Sequence, residues 1–480
     1  VSLDRPYCAS ATPPGASGLA VIRMAGEDTP EVMDRVFTVL RAADPVSGIR
    51  EMRGYTAAYG LIRDPRNGQT IDEVICTYFK APHSYTGEDL VEISCHGGLA
   101  VRREILRVLT ENGARPAEPG EFTRRAFLAG KMDLSQAEAV MDVIAADSEL
   151  ALTAAERQLA GSLKTKVRGL SADLFKSFAA LEMIVEFPEH EDTPENTGKT
   201  VADLEWSLAG LKSLEGSFSQ GRILREGMTV VLCGVPNSGK SSLLNRLAGY
   251  NRAIVTATPG TTRDTLEVYA SVNGVPVRLI DTAGIRETED EIEKMGVSRA
   301  YEAAYEADLL LWLISPDGDD LEEGSELYES LSGMKPGREI GILASKSDQM
   351  TGTEADLFAA GIEERIREWG FAQKIRFYQI FSSETGAGIP RLGEEIRRLY
   401  DDKGSGQMSE VLLTNSRHYE KVKSAAETLS EVIRLLKNGE GADLACSILR
   451  STMDALGEIT GDSVNEELVE TIFSRFCIGK

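Results

Sequence analysis

The stretch Thr229 to Ser242, TVVLCGVPNSGKSS, places the pattern G-x-x-x-x-G-K-S between a β-rich apolar run and a helical one. Strand, glycine turn and helix in immediate succession make a phosphate cradle. Gly234 and Gly239 let the backbone curl, so that successive N–H groups and the helix N-terminus meet phosphate oxygens. The contact candidates are Asn237, Ser238, Gly239, Lys240, Ser241 and Ser242, with Lys240 for β/γ-phosphate charge and the Ser241 hydroxyl for Mg²⁺. A glycine-rich turn beside a surface lysine would match the letters, but not the strand before them and the helix after.

Further motifs follow in the order a nucleotide site requires. The loop Thr256-Ala257-Thr258-Pro259-Gly260-Thr261-Thr262 offers a hydroxyl, that of Thr262, able to complete Mg²⁺ coordination only when a γ-phosphate is present, which makes it a switch. Asp281-Thr282-Ala283-Gly284 follows an apolar strand. Asp281 is the expected carboxylate behind Mg²⁺, and the Gly284 N–H can sense the γ-phosphate. Ser345-Lys346-Ser347-Asp348 and Ser382-Ser383-Glu384 frame the base. A carboxylate at Asp348 accepts from guanine N1–H and N2–H₂, which adenine cannot offer, so GTP is the expected ligand. Ser345 stands where the usual N-K-x-D has asparagine, and Ser383-Glu384 is also unusual, so guanine selection with weakened affinity is expected. Ile285 occupies the place of a water-orienting glutamine, so hydrolysis must recruit another group. The acidic run Glu287, Glu289, Asp290, Glu291 and Glu293 offers candidates, although solvation of a loop also accounts for such a run.

These motifs need a scaffold, and 480 residues suffice for about three domains. The 42% hydrophobic content allows full cores, while no stretch nears the apolar length of a membrane span. The start, VSLDRPYCAS, lacks a charged-then-apolar signal pattern, so a soluble, cytoplasmic protein with no membrane partner is expected. Six cysteines and four histidines are dispersed without metal-ligand spacing. A net charge of −24 argues against binding nucleic acid through bulk electrostatics.

Residues 1–120 read as a small α/β domain, with strands at Gly18 to Arg23, Tyr55 to Ile62, Ile71 to Phe79 and Leu90 to Cys95. Val32, Val36, Val39 and Leu40 read as one helical run, and Val101 to Leu109 as another. Turns at Thr12 to Gly15, Tyr85 to Asp89 and His96 to Gly98 read as ordinary loops. From 121 to 219 helix formers dominate, and Leu163, Val167, Leu170, Leu174, Phe178, Leu181 and Val185 trace the packing face of one long helix. The nucleotide domain spans 220–401. Its strands alternate with helices around the P-loop, which predicts a doubly wound parallel sheet. From 402 to 480 the pattern is helical again. The expected fold is therefore α/β plus all-α: a small N-terminal domain, then a helical bundle interrupted by an inserted Ras-like P-loop GTPase domain.

Taken together, the motifs resemble those of the tRNA modification GTPase family known as MnmE or TrmE, over essentially the whole chain. The likeness rests on ATPPG, SYTGEDLVEISCHGG, AEPGEFTRRAFLAGKMDLSQAEAV, GTTRD, DTAGIRE and the terminal CIGK. The resemblance implies a homodimer through the N-terminal domains, with a site there for 5-formyltetrahydrofolate or a related folate. Arg23, Glu92, Lys131 and Lys480 stand at its matching positions. It further implies K⁺ in place of an arginine finger, held by Asn237, Thr256, Thr258 and Thr261, and Glu293 as the group that orients the attacking water. With an FAD-dependent partner of the MnmG or GidA type, in a heterotetramer, such proteins modify C5 of the tRNA wobble uridine, tRNA being held mainly by the partner. Cys477 matches the cysteine of the terminal motif, its chemical role open. A ribosome-assembly switch of the Era or Der type is the competing reading. A basic RNA-binding domain after the nucleotide domain would favour it, and residues 402–480 are not basic.

Overall fold

In a computed structural model of the chain, residues 5–186, 194–250, 267–281, 307–318, 320–333, 339–403, 411–439 and 441–480 are described. The switch loop 256–262, Thr282, Ala283, Gly284 and the acidic run with Glu293 lie outside them. Among the described residues no helix is long and apolar enough to cross a membrane. The chain divides into two compact units, Val1–Met141 with Leu159–Val167 and Asp454–Lys480, and Asp142–Gln158 with Arg168–Met453.

The first unit is built on a seven-stranded sheet: β1 (Tyr7–Ser10), β2 (Leu19–Ala25), β3 (Phe37–Ala42), β4 (Thr56–Arg63), β5 (Thr70–Phe79), β6 (Leu90–His96) and β7 (Arg115–Pro116). Their order is β3-β4-β5-β6-β2-β1-β7. Alternation puts Ile22, Met24, Val74, Cys76, Val91 and Ile93 into one core with Ile105, Val108 and Leu109 of the helix Leu99–Glu111. The opposite face carries Arg23 and Glu92. One expectation is corrected: the helix Thr29–Val36 stops at Val36, and Phe37–Ala42 is strand. Its Phe, Thr and Val suit a pleated surface, and pairing with β4 outweighs the helical spacing of Val39 and Leu40.

The second unit holds a six-stranded sheet: β8 (Met228–Cys233), β9 (Glu267–Val272), β10 (Val275–Asp281), β11 (Leu309–Ile314), β12 (Glu339–Ala344) and β13 (Ile375–Ile380). Their order is β13-β12-β11-β8-β10-β9. Five strands run parallel. The departure is β9, an antiparallel edge strand joined to β10 by the tight turn at Asn273-Gly274. Entirely buried strands such as β11 (LLLWLI) fit a sheet covered on both faces. The chain enters this sheet through the helix Phe218–Glu226 and leaves it through the helix Ile389–Asp402.

Long helices carry the sheet. Ser162–Glu186, Pro194–Gly216 and Ser416–Lys437 are the longest among the described residues of the unit, the first beginning outside it. The expected stripe on the first is buried from Leu163 to Leu181, but Val185 is exposed. Leu150 and Ala154 of the helix Glu149–Leu159 pack against the sheet's core.

Candidate nucleotide and anion sites

β8 lies between β10 and β11, so the turn leaving it emerges beside Asp281 at the end of β10. Gly234 has φ +128°, and a Cβ there would stand 2.3 Å from the Leu313 carbonyl oxygen, so only glycine fits. Asn237 holds a left-handed backbone, φ +65°, at the exposed crest of the loop. The loop opens into the helix Lys240–Tyr250, anchored by buried Leu243, Leu244 and Leu247. Its N-terminal N–H groups therefore face the crest, where anions are favoured.

Lys240 is only 5% exposed. Its ammonium donates to the Gly234 and Val235 carbonyl oxygens at 2.6 and 2.9 Å, so the cation is held over the cradle by the loop's own backbone. Ser241 Oγ donates to Asp281 Oδ2 at 2.9 Å. A hydroxyl and a carboxylate oxygen meeting beside a phosphate cradle are hard donors suited to Mg²⁺, which typically binds through few protein groups plus phosphates. Ser238 is buried beneath the loop, and Ser242 is exposed.

The base-reading segments follow β12 and β13. Asp348 is exposed, and its Oδ1 accepts the Ser382 hydroxyl at 2.5 Å. Ser382 Oγ in turn accepts the Thr385 N–H at 3.1 Å, which fixes the carboxylate's direction. Lys346 has a left-handed backbone and its ammonium lies 3.3 Å from Asp317. A Cβ at Gly239 would stand 3.8 Å from Ser383 Oγ, so this segment and the P-loop adjoin. Glu384 follows in the same exposed turn. Ser345 is 1% exposed, and its amide and hydroxyl both donate to the Ile314 carbonyl oxygen, at 2.9 and 3.2 Å. The serine is a buried residue with its own partner, not a shortened asparagine facing open space.

In the first unit, Arg23 and Glu92 are register partners across β2 and β6, joined at 2.7 Å. Lys480 lies with them. Its ammonium is pushed below the ordinary lysine value by burial first and by the Arg23 guanidinium second, with Glu92 and Cys477 opposing. The terminal segment reaches this place because Ile478 bridges to Pro119 and Gly120 N–H donates to the Cys477 carbonyl at 3.4 Å. Lys131 donates to the Pro82 carbonyl oxygen at 2.5 Å, on the loop that also bears Tyr85. Tyr85, read from the sequence as part of an ordinary turn, lies under the Arg23 guanidinium at 5.7 Å, with its hydroxyl 3.0 Å from Thr123 Oγ1. Two cations, a carboxylate and an aromatic ring converge on one face of the sheet. Cys477 is exposed there, whereas burial pushes the Cys8 thiol up to about 12 and the Cys95 thiol up to about 11.

A family profile described as the MnmE helical domain matches residues 134–477, and one described as the GTP-binding protein TrmE N-terminus matches 6–131. The tRNA modification GTPase MnmE of Enterococcus faecalis is 39% identical over 473 residues, 98% of this chain and 97% of that one. Those of Symbiobacterium thermophilum and Moorella thermoacetica are 41% and 40% identical, over 99% and 100% of this chain and all of theirs. Among solved structures, the G domain of T. maritima FeoB is 26% identical over 36% of this chain and 98% of that one, at a TM-score of 0.25.

Proposed function

The chain belongs to the MnmE family of tRNA modification GTPases, and from that membership we propose that it hydrolyses GTP in order to modify C5 of the wobble uridine in tRNA. The observation that carries this reading is the Ser241–Asp281 contact beside Lys240, the P-loop side of a phosphate and Mg²⁺ corner, in a chain matched by the family over its full length.

In this reading the P-loop amides and Lys240 hold the phosphates, and Asp348, aimed by Ser382, selects guanine. Ser241 and Thr262 would hold Mg²⁺, with Asp281 behind them. Asn237, Thr256, Thr258 and Thr261 would hold K⁺. Thr282, Ala283 and Gly284 would follow the γ-phosphate, and Glu293 would orient the attacking water. When bound, the two cations offset the negative charge that builds on the transferring phosphoryl group.

Arg23, Glu92, Lys131 and Lys480 form the proposed folate site. The guanidinium and ammonium suit a polyanionic tail, and Glu92 suits ring N–H donors. A folate held by these residues would supply the one-carbon unit. A homodimer and an FAD-dependent MnmG-type partner complete the proposal. In domain terms, 1–120 binds folate and dimerises, 220–401 is the inserted G domain, and 121–219 with 402–480 is the helical carrier.

Nucleoside analysis of tRNA from a deletion strain tests the proposal. The wobble modification should return with this gene and stay absent with Lys240→Ala. Restoration by both, or by neither, would overturn it.

A further inference from the structure

Asp308, the residue just before β11, is buried, its side chain only 5% exposed. Its Oδ1 accepts from Arg222 at 2.6 Å and from Lys403 at 2.6 Å, and its Oδ2 accepts the Thr229 N–H at 3.0 Å. The Asp308 N–H returns a bond to the Thr229 carbonyl at 2.9 Å. One carboxylate thus joins the helix by which the chain enters the sheet, the start of the P-loop strand, and the residue that ends the exit helix.

The entry helix is gripped from its other side as well. Ile223 and Leu224 lie in the sheet's core. A Cβ at Gly221 would stand 2.2 Å from the Leu413 carbonyl oxygen, and Leu413 N–H donates to Ser217 Oγ at 3.1 Å. Phe218 stacks on Tyr419 of the helix Ser416–Lys437, with centroids 4.3 Å apart. A connected path therefore runs from β8 and β11 through Asp308 and Arg222 to the carrier helices.

Asp308 cannot act on the nucleotide directly. The nucleotide loops leave the opposite, C-terminal ends of the strands, and six residues of strand span about 20 Å. We infer that Asp308 is a positioning residue, whose contacts with Arg222 and Lys403 pass nucleotide-dependent changes in the sheet to the helices that carry it. Without the carboxylate, two cations face each other at the crossings and the path is cut at its charged link.

This inference rests on the proposed GTP site, and the test separates the two. Hydrogen exchange of the full chain is measured with GDP and with a non-hydrolysable GTP analogue, for the wild type and for Asp308→Asn. In the wild type, exchanging nucleotides should change protection in both the P-loop and the helices Phe218–Glu226 and Ser416–Lys437. In Asp308→Asn the P-loop response and the KM for GTP should persist, while the carrier response falls at least threefold. Asp308→Glu, which keeps the charge, should recover at least half of it. An equal carrier response in Asp308→Asn, a wild-type carrier that does not respond, or a P-loop response lost in parallel would each overturn the inference. A wild-type P-loop indifferent to nucleotide would instead sink the GTP site. If Asp308→Asn does not fold, Arg222→Met, which cuts the path at its charged link and leaves the Lys403 pair, decides by the same criteria.

Discussion

Ser241 of the P-loop helix and Asp281 at the end of β10 meet through a 2.9 Å hydrogen bond, although 40 residues separate them. The parallel pairing of β8 with β10, Asp281 opposite Leu232, is what brings the carboxylate to the loop.

Breaking that pair tests the metal corner. Asp281→Ala should lower GTP turnover by about 10²–10³-fold, the usual worth of one electrostatic stabiliser, and should raise the Mg²⁺ concentration needed for half-maximal rate. Binding of GTP in chelator should change little. A Mg²⁺ titration of turnover, with binding measured separately, reads both.

Asn237 calls for a glycine control. At φ +65° an alanine strains the backbone by about 1–2 kcal/mol, which would confound any loss of rate. Asn237→Gly keeps the turn and removes the amide. Turnover of the wild type should rise at least about tenfold when K⁺ replaces Na⁺ at constant ionic strength, within the range of such stabilisation. The variant should respond equally to the two salts.

For Ser345 the structure sets two effects against each other. An asparagine could recover one hydrogen bond at the base, about 1 kcal/mol. It must also fit a 1%-exposed position and forgo the bond to Ile314, and overpacking costs about 1–3 kcal/mol. Ser345→Asn should therefore melt earlier than the wild type while the folded protein binds GTP more tightly. Thermal melts and GTP titration separate the terms, and unchanged stability would show that the site has room.

In the proposed folate site, Lys480 should make ligand affinity pH-dependent. The folded lysine holds its proton less firmly than a free one, so without ligand stability rises as pH climbs toward 10.5. An anionic ligand favours the ammonium and reverses that preference. Affinity for 5-formyltetrahydrofolate should fall as pH rises through the lowered lysine value toward 10.5, and Lys480→Met should bind weakly with a flatter profile. Calorimetric titration at several pH values checks the slope.

Glu121, fully buried, anchors the helix Glu121–Leu128. Burial opposes its charge, yet the Arg115 guanidinium and the Glu118 N–H outweigh burial and hold the carboxyl below its ordinary value. The stabilisation is complete above pH 4.5 and is lost as pH falls through the folded-state value. Glu121→Gln strands the Arg115 charge and should destabilise the first unit by about 3–5 kcal/mol at pH 7, a deficit that shrinks in acid. Denaturation of both proteins at neutral and acid pH measures it.

Features that depend on neighbours along the chain are legible before folding. The P-loop is a strand, turn and helix within fourteen consecutive residues, Thr229 to Ser242, so its chemistry is legible from spacing. The stripe from Leu163 to Leu181 is legible for the same reason, since 3.6-residue periodicity is local. β1 was not legible: four residues after a proline are too few to show a period. β3 is not legible as a strand because Val39 and Leu40 continue the helical spacing of Val32 and Val36, and only pairing of the segment Phe37–Ala42 with β4 overrides it. Which distant charges meet is a matter of the fold. Arg23 finds Glu92 across 69 residues, and Asp308 finds Arg222 and Lys403 across 86 and 95. Strand order and helix packing set those pairings, and a lone Asp, Arg or Lys carries no mark of its partner until the sheet has closed around it.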